Sequence, residues 1–519
     1  MIRLVALLLS ASFAIAADLP KASYVIRGAT LHDGSGKAGH KGDVHIRGDR
    51  MAAVGAVGKV ADATEIDGTG LVVCPGFIDL HTHCDSGLLG KVGRANKNYI
   101  TQGCTTVVTG NCGSGPVDAG AYFKKLEAGG IATNEIHLAT HNSIREQVMG
   151  NANRAPTAEE LAKMEGLVDQ AMKDGTFGLS TGLIYTPGTY AKTDEIAALA
   201  KVVGRHGGLY ASHIRDESAG LLTAIEEAVK IGTEGSCRVH VSHIKASGKS
   251  SWGTSVGAVE LIEAARKKGT EVTADQYPYI ASSTSLGATV VPTRYRAGTK
   301  KEYLARLNDP TAGPKIRAAV EATLKGEGAK RIRIARYAKN PMWQGKDLAA
   351  IAEREKKSPT DIALEIERNG GAQVVNFGMS EDDVRVYMKR PWVATASDGG
   401  VQTPGDTVPH PRSYGTFPRK IGKYAIEDGL VTLEAAIRSS SGLPADILKL
   451  THRGYLKPDY FADVVVFDPK TYRDTATFEK PHQYAAGVKW VFVNGVPVVA
   501  DGKHQPTRLP GKVLRWKGK

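Results

Sequence analysis

Six side chains that could bind a metal or move a proton stand within a few residues of the ends of short apolar runs. His81-Thr82-His83 follows GFIDL, Cys112 follows TTVVT, His213 follows GLYAS, His243 follows RVHVS, and Asp398 follows WVATA. A strand period of two puts His81 and His83 on one face. Neutral imidazole and thiolate both suit Zn²⁺. A carboxylate beside such an ion can take a proton from water and return it to a leaving group. A lone H-x-H is weak evidence, since two ordinary histidines read the same way. Candidates at the ends of five separate runs are much stronger, and they point to metal-assisted hydrolysis at a site for one or two ions.

Something must bring these run ends together. The apolar runs are GFIDL, TTVVT, EIHLAT, TFGLS, GLYAS, RVHVS, EVTAD and WVATAS, and helical spacing recurs between them, as in AEELAKMEGLVDQAMK and LLTAIEEAVKIG. Strand and helix alternating eight times is the pattern of a (β/α)₈ barrel, whose active sites lie at the strand ends. A doubly wound sheet fits less well, because no Gly-rich phosphate turn is present. Runs seven and eight are separated by residues of about 281–389, which predicts an inserted lid subdomain. Alternating patterns with Gly, Asp and Asn turns occur before residue 74 and again after 451. They predict a small β-sandwich built from both ends of the chain. The expected division is a signal peptide at 1–16, sandwich at 17–74, barrel at 75–450 and sandwich again at 451–519.

The 519 residues are 42% hydrophobic and include 59 glycines, enough for a sizeable core with many tight turns. The first residues read as a secretory signal: Arg3, an apolar stretch from Leu4 to Leu9, and a small-residue cleavage site at Ala14-Ile15-Ala16. An exported protein, periplasmic or secreted, is expected, with no membrane span. The net charge of +13 is spread along the chain. That suits a basic soluble surface and, without an accompanying motif, not nucleic-acid binding. Five cysteines, an odd number, leave at least one free or metal-bound.

PGFIDLHTHCD resembles the first-strand signature of the amidohydrolase superfamily. GCTTVVTGNCGSG, LSTGLIYTPGTY, YASHIRDES, VSHIKASG, DQYPY, ASDGG, HPRSYGTFPR and ADVVVFDP resemble blocks of its D-aminoacylases, in order from about residue 70 to 495. The resemblance implies a barrel with a terminal sandwich, zinc, and hydrolysis of N-acyl-D-amino acids or peptides with a D-residue. It implies Cys112, His213 and His243 as principal metal ligands. His81 and His83 would then form a second side where an ion is weaker or absent, and Asp398 would be the catalytic acid–base. Many superfamily members carry a modified lysine on the fourth strand. Here that strand ends Leu179-Ser180-Thr181-Gly182, and Cys112 is expected to bridge instead. Cys84 and Cys104 depart from the usual residues at their positions.

A product with an α-carboxylate calls for fixed cations. Lys245, two residues past His243, is the first candidate, followed by Arg294 and Arg412. Tyr279 could donate a hydrogen bond, and Tyr185 is expected to shape the pocket. His141 and Arg145 are read as supporting residues, and His240 as an ordinary structural histidine. A cyclic-amide hydrolase or a deaminase could use the same metal mouth, and a non-enzymatic binder could retain the fold. The Asn-Cys-Gly block and the carboxylate anchors favour the deacylase over the first two, and Asp398 disfavours the binder. Oligomeric state is left open.

Overall fold

The computed structural model describes residues 23–518. The expected signal sequence lies outside the described residues. Each of the eight apolar runs forms a strand: Phe77–Asp79, Cys104–Thr109, Asn134–His137 continuing as Ala139–Thr140, Gly178–Gly182, Leu209–His213, Arg238–Val241, Val272–Gln276 and Val393–Thr395. Neighbours pair in parallel around the ring. The ring closes between the eighth and first strands, where Asp398 N donates to His81 O at 2.8 Å and His83 N to Gly399 O at 2.7 Å. Closure therefore runs through the backbone of the candidate residues. The strands are buried on both faces, which accounts for their near-continuous apolar sequences.

Helices form where the apolar period lengthens to 3.6. In Ala158–Asp174 the buried residues are Met164, Val168, Ala171 and Met172. Thr157 and Glu160 close a capping box at its start, satisfying two backbone donors that the first turn leaves free. Ile78, Leu80, Val108, Ile136, Leu138, Leu209 and Ala394 form one core cluster, against which Leu514 and Trp516 pack. The C-terminal segment is held to the third strand, with Glu135 N donating to Lys512 O and Leu514 N to Glu135 O.

Strands from both ends of the chain join in one nine-stranded sheet. Its two parts meet where Val464–Phe467 pairs antiparallel with Val72–Pro75. Between the seventh and eighth barrel strands lies a separate unit. Its antiparallel strands Ser282–Ser285, Gln373–Asn376 and Ile332–Arg336 pack with helices around Val320, Ile334, Leu348, Ile362 and Val374. Helix Glu381–Met388 falls inside the range expected for this insertion but packs on barrel helix Ser255–Lys267. Asp383 explains its position, since its Oδ1 accepts from Gly253 N at 3.1 Å and also from Ser255 Oγ. Among the described residues no helix is long and apolar enough to cross a membrane.

Candidate metal centre

Cys112 sits in the turn that follows the second strand, between Gly110 (φ 74°) and Gly113 (φ 71°). Asn111 pins this turn by donating to Leu80 O at 3.2 Å and Val108 O at 3.0 Å. Cys112 itself has φ 53°, His243 φ 35° and Asp398 φ 50°. Left-handed backbone at a residue with a Cβ costs roughly 1–3 kcal/mol and persists only where the surroundings enforce it. Three of the six candidate residues carry this strain.

The result is a convergence on one sulfur. Cys112 Sγ lies 3.3 Å from His81 Nε2, 3.4 Å from His213 Nδ1 and 3.6 Å from His243 Nε2. His83 and Asp398 stand beside it, with Asp398 Oδ1 3.1 Å from His83 Nε2 and 3.6 Å from His81 Nε2. The fourth strand leaves no room for a side chain facing Cys112. A Cβ on Gly182 would lie 2.1 Å from Cys112 O. Ser180 Oγ donates to Gly110 O and accepts from Gly113 N at 3.0 Å, so the strand end braces the turn.

The electrostatics suit a thiophilic cation. Burial pushes the pKa of His81 down to about 4 and that of His213 well below its ordinary value. Burial thus favours the neutral form of both rings, whose lone pair is what binds metal. Burial also pushes the Cys112 thiol up, a penalty that a bound cation removes by stabilising the thiolate. A buried sulfur faced by three imidazole nitrogens is a donor set that fits zinc.

Asp398 is held ionised. Burial alone would raise its pKa, but Arg412, His243, His83 and His81 outweigh it and place it well below the usual carboxylate range. Arg412 Nη1 lies 2.9 Å from Asp398 Oδ2. That nitrogen is buried and its direction makes no hydrogen bond, so it retains a donor.

The other sequence candidates divide. Lys245 is buried and donates to Glu217, with its Nζ 2.8 Å from His243 Nδ1. Tyr185 sets its ring edge on His213, with centroids 4.9 Å apart, and its hydroxyl 3.1 Å from Thr284 Oγ1 of the inserted sheet. Arg294 lies on an exposed turn with its guanidinium 4.7 Å over the Tyr295 ring. Tyr279 turns to His410 and Arg419. Tyr277 lies between the cations instead, 4.7 Å from the Arg412 guanidinium and 5.6 Å from Lys245 Nζ. His141 and Arg145 bind Glu195 at 3.2 and 2.9 Å rather than the cluster.

Two carboxylates escaped the sequence reading. Asp275 Oδ1 accepts from His243 N at 2.7 Å, while Oδ2 lies 2.7 Å from His240 Nε2 and 3.5 Å from His81 Nδ1. Burial raises its pKa, but His81 and His240 overcome that and hold it ionised. His240 thus supports the site through Asp275. Glu217 Oε1 lies 3.0 Å from His243 Nδ1. Carboxylates behind metal-binding imidazoles fix their tautomer and raise their basicity. The available signal was position: Asp275 is one residue from the end of the seventh strand, and Glu217 is four residues past His213.

The chain matches the model of the amidohydrolase family over residues 64–499. It is 38% identical over 497 residues to D-aminoacylase from Alcaligenes xylosoxydans xylosoxydans, covering 91% of this chain and 94% of that protein. It is 35% identical over 523 residues to N-acyl-D-aspartate deacylase of the same organism, covering 96% of each. Among solved structures it superposes on N-acyl-D-glutamate deacylase from Bordetella bronchiseptica, complexed with zinc and a phosphonate mimic of the tetrahedral intermediate. The TM-score there is 0.81 at 33% identity, over 95% of this chain and 100% of that one.

Proposed function

Because the chain belongs to the amidohydrolase family and, within it, to the D-aminoacylases, we propose that it hydrolyses the amide bond of N-acyl-D-amino acids to a carboxylate and a free D-amino acid. The carrying observation is the convergence of His81, His213 and His243 on Cys112 Sγ, with Asp398 beside them. Cys112, His213 and His243 would hold zinc, and His81 with His83 could hold a second ion. Bound zinc would polarise the scissile carbonyl and acidify the attacking water.

The chain's own residues do the rest. Asp398 is ionised and accepts a proton from the water. The same carboxyl then delivers that proton to the amide nitrogen, which leaves poorly without it. Lys245 and Arg412 are the buried cations able to hold the α-carboxylate, and Tyr277 lies between them. Fixing the carbonyl and the carboxylate leaves one direction for the side chain, so an L-substrate meets a clash or loses a contact. Turnover of N-acetyl-D-methionine against its L-isomer tests this, with N-acetyl-D-aspartate, N-acetyl-D-glutamate and dipeptides ending in a D-residue alongside. Strong D-preference is expected. Equal turnover of both enantiomers, or activity confined to cyclic amides or amino-purines, overturns it.

The amino-terminal pattern supports a second proposal, that the protein is exported and matures near Ala17. Fractionation of the host with amino-terminal sequencing tests it, and an intact Met1 on the native protein contradicts it.

A further inference from the structure

One oxygen of Glu217 serves three groups. Oε1 accepts from Lys245 Nζ, lies 3.0 Å from His243 Nδ1, and lies 3.9 Å from His213 Nε2. These are the rear nitrogens of two rings whose front nitrogens face Cys112 Sγ, at 3.6 Å for His243 and 3.4 Å for His213. The rear nitrogen of His213 is buried without a hydrogen-bond partner. Lys245 Nζ is itself only 2.8 Å from His243 Nδ1. The ammonium thus competes with both imidazoles for the acceptor they need.

We infer that Glu217 is a positioning residue that couples substrate to metal. A substrate carboxylate that draws Lys245 towards itself releases the Glu217 oxygen to the N–H groups of His243 and His213. Nothing covalent changes, and one charged hydrogen bond is exchanged for two others. An imidazole that donates to a carboxylate is a stronger metal donor. Coupling is reciprocal, so a free carboxylate ligand and zinc tighten each other's binding by the same factor. The inference rests on the deacylase reading for the identity of that carboxylate.

The test measures zinc affinity by chelator competition in an Asp398→Asn background, which blocks turnover. The probes are N-acetyl-D-methionine and its carboxamide. The free acid should tighten zinc by roughly tenfold, within the usual range of coupling energies, and the carboxamide by little. Glu217→Gln should abolish the difference, and Glu217→Asp should restore part of it. Lys245→Met gives an independent reading without touching Glu217. Its ligand-free zinc affinity should already match that of the liganded Lys245 protein. Coupling that persists in Glu217→Gln, or a free acid without effect on zinc, overturns the role of Glu217. Failure of the unsubstituted chain to turn over any of N-acetyl-D-methionine, N-acetyl-D-aspartate, N-acetyl-D-glutamate and dipeptides ending in a D-residue overturns the deacylase reading instead, and with it the carboxylate named here.

Discussion

Arg412 and Asp398 form an ion pair in the barrel mouth, Nη1 to Oδ2 2.9 Å, with side-chain exposures of 5% and 11%. The pair keeps the carboxylate charged in a place where burial alone would neutralise it. A general base must be ionised before it can accept a proton, so this contact prepares Asp398 for its proposed part.

Asp398→Asn keeps the shape and removes the proton acceptor. The expected result is a fall in kcat of roughly a hundredfold or more with zinc content unchanged. Steady-state kinetics with elemental analysis decides it, and near-normal kcat would place the base elsewhere.

Cys112→Ala deletes the sulfur on which three imidazoles converge. Tight zinc binding and nearly all activity should go with it, since thiolate is the strongest donor in the set. A variant that retains full zinc after dialysis against chelator would remove Cys112 from the ligand set.

Gly182→Ala tests how the fourth strand shapes the turn. The new Cβ would meet Cys112 O at 2.1 Å, and backbone on both sides must shift. Weaker zinc retention is expected even though no ligand is changed. Unchanged zinc affinity would show that the turn yields without cost.

Lys245→Met keeps the length and removes the charge. KM should rise for free-acid N-acyl-D-amino acids and rise less for their carboxamides. An unchanged KM for the free acids would pass the anchor to Arg412, the buried cation on Tyr277 beside Lys245.

Glu135, on the third strand and outside the proposed ligand set, gives a pH prediction. Burial pushes its pKa up to about 8, against the ordinary 4.5 and despite the Thr109 hydroxyl donating to it at 2.6 Å. The folded state then holds a proton that the unfolded state has lost between pH 4.5 and 8. Its contribution to stability is full below the lower value and is lost as pH rises through the upper one. The total is on the order of 4 kcal/mol. Glu135→Gln should flatten the fall in Tm across that window, as thermal unfolding at several pH values would show. A slope as steep as in the parent would mean that Glu135 does not titrate there.

The local pattern determined the chemistry on offer. Strand runs are short and apolar, so eight of them with helical spacing between predicted the barrel, and the residues just past their ends were His81, His83, Cys112, His213, His243 and Asp398. The period of two and the position of strand ends are properties of neighbouring residues, and neighbours are what a sequence displays. Tertiary structure decided which groups face one another. His83 meets Asp398 across 315 positions and Cys112 meets His243 across 131. Those distances follow from ring closure and from left-handed backbone at Cys112, His243 and Asp398, which spacing does not encode. The same holds for Tyr277 lying between the cations in place of Tyr279, and for Asp275 and Glu217 standing behind the imidazoles. A buried carboxylate looks like any surface carboxylate until the fold shows what it is buried against.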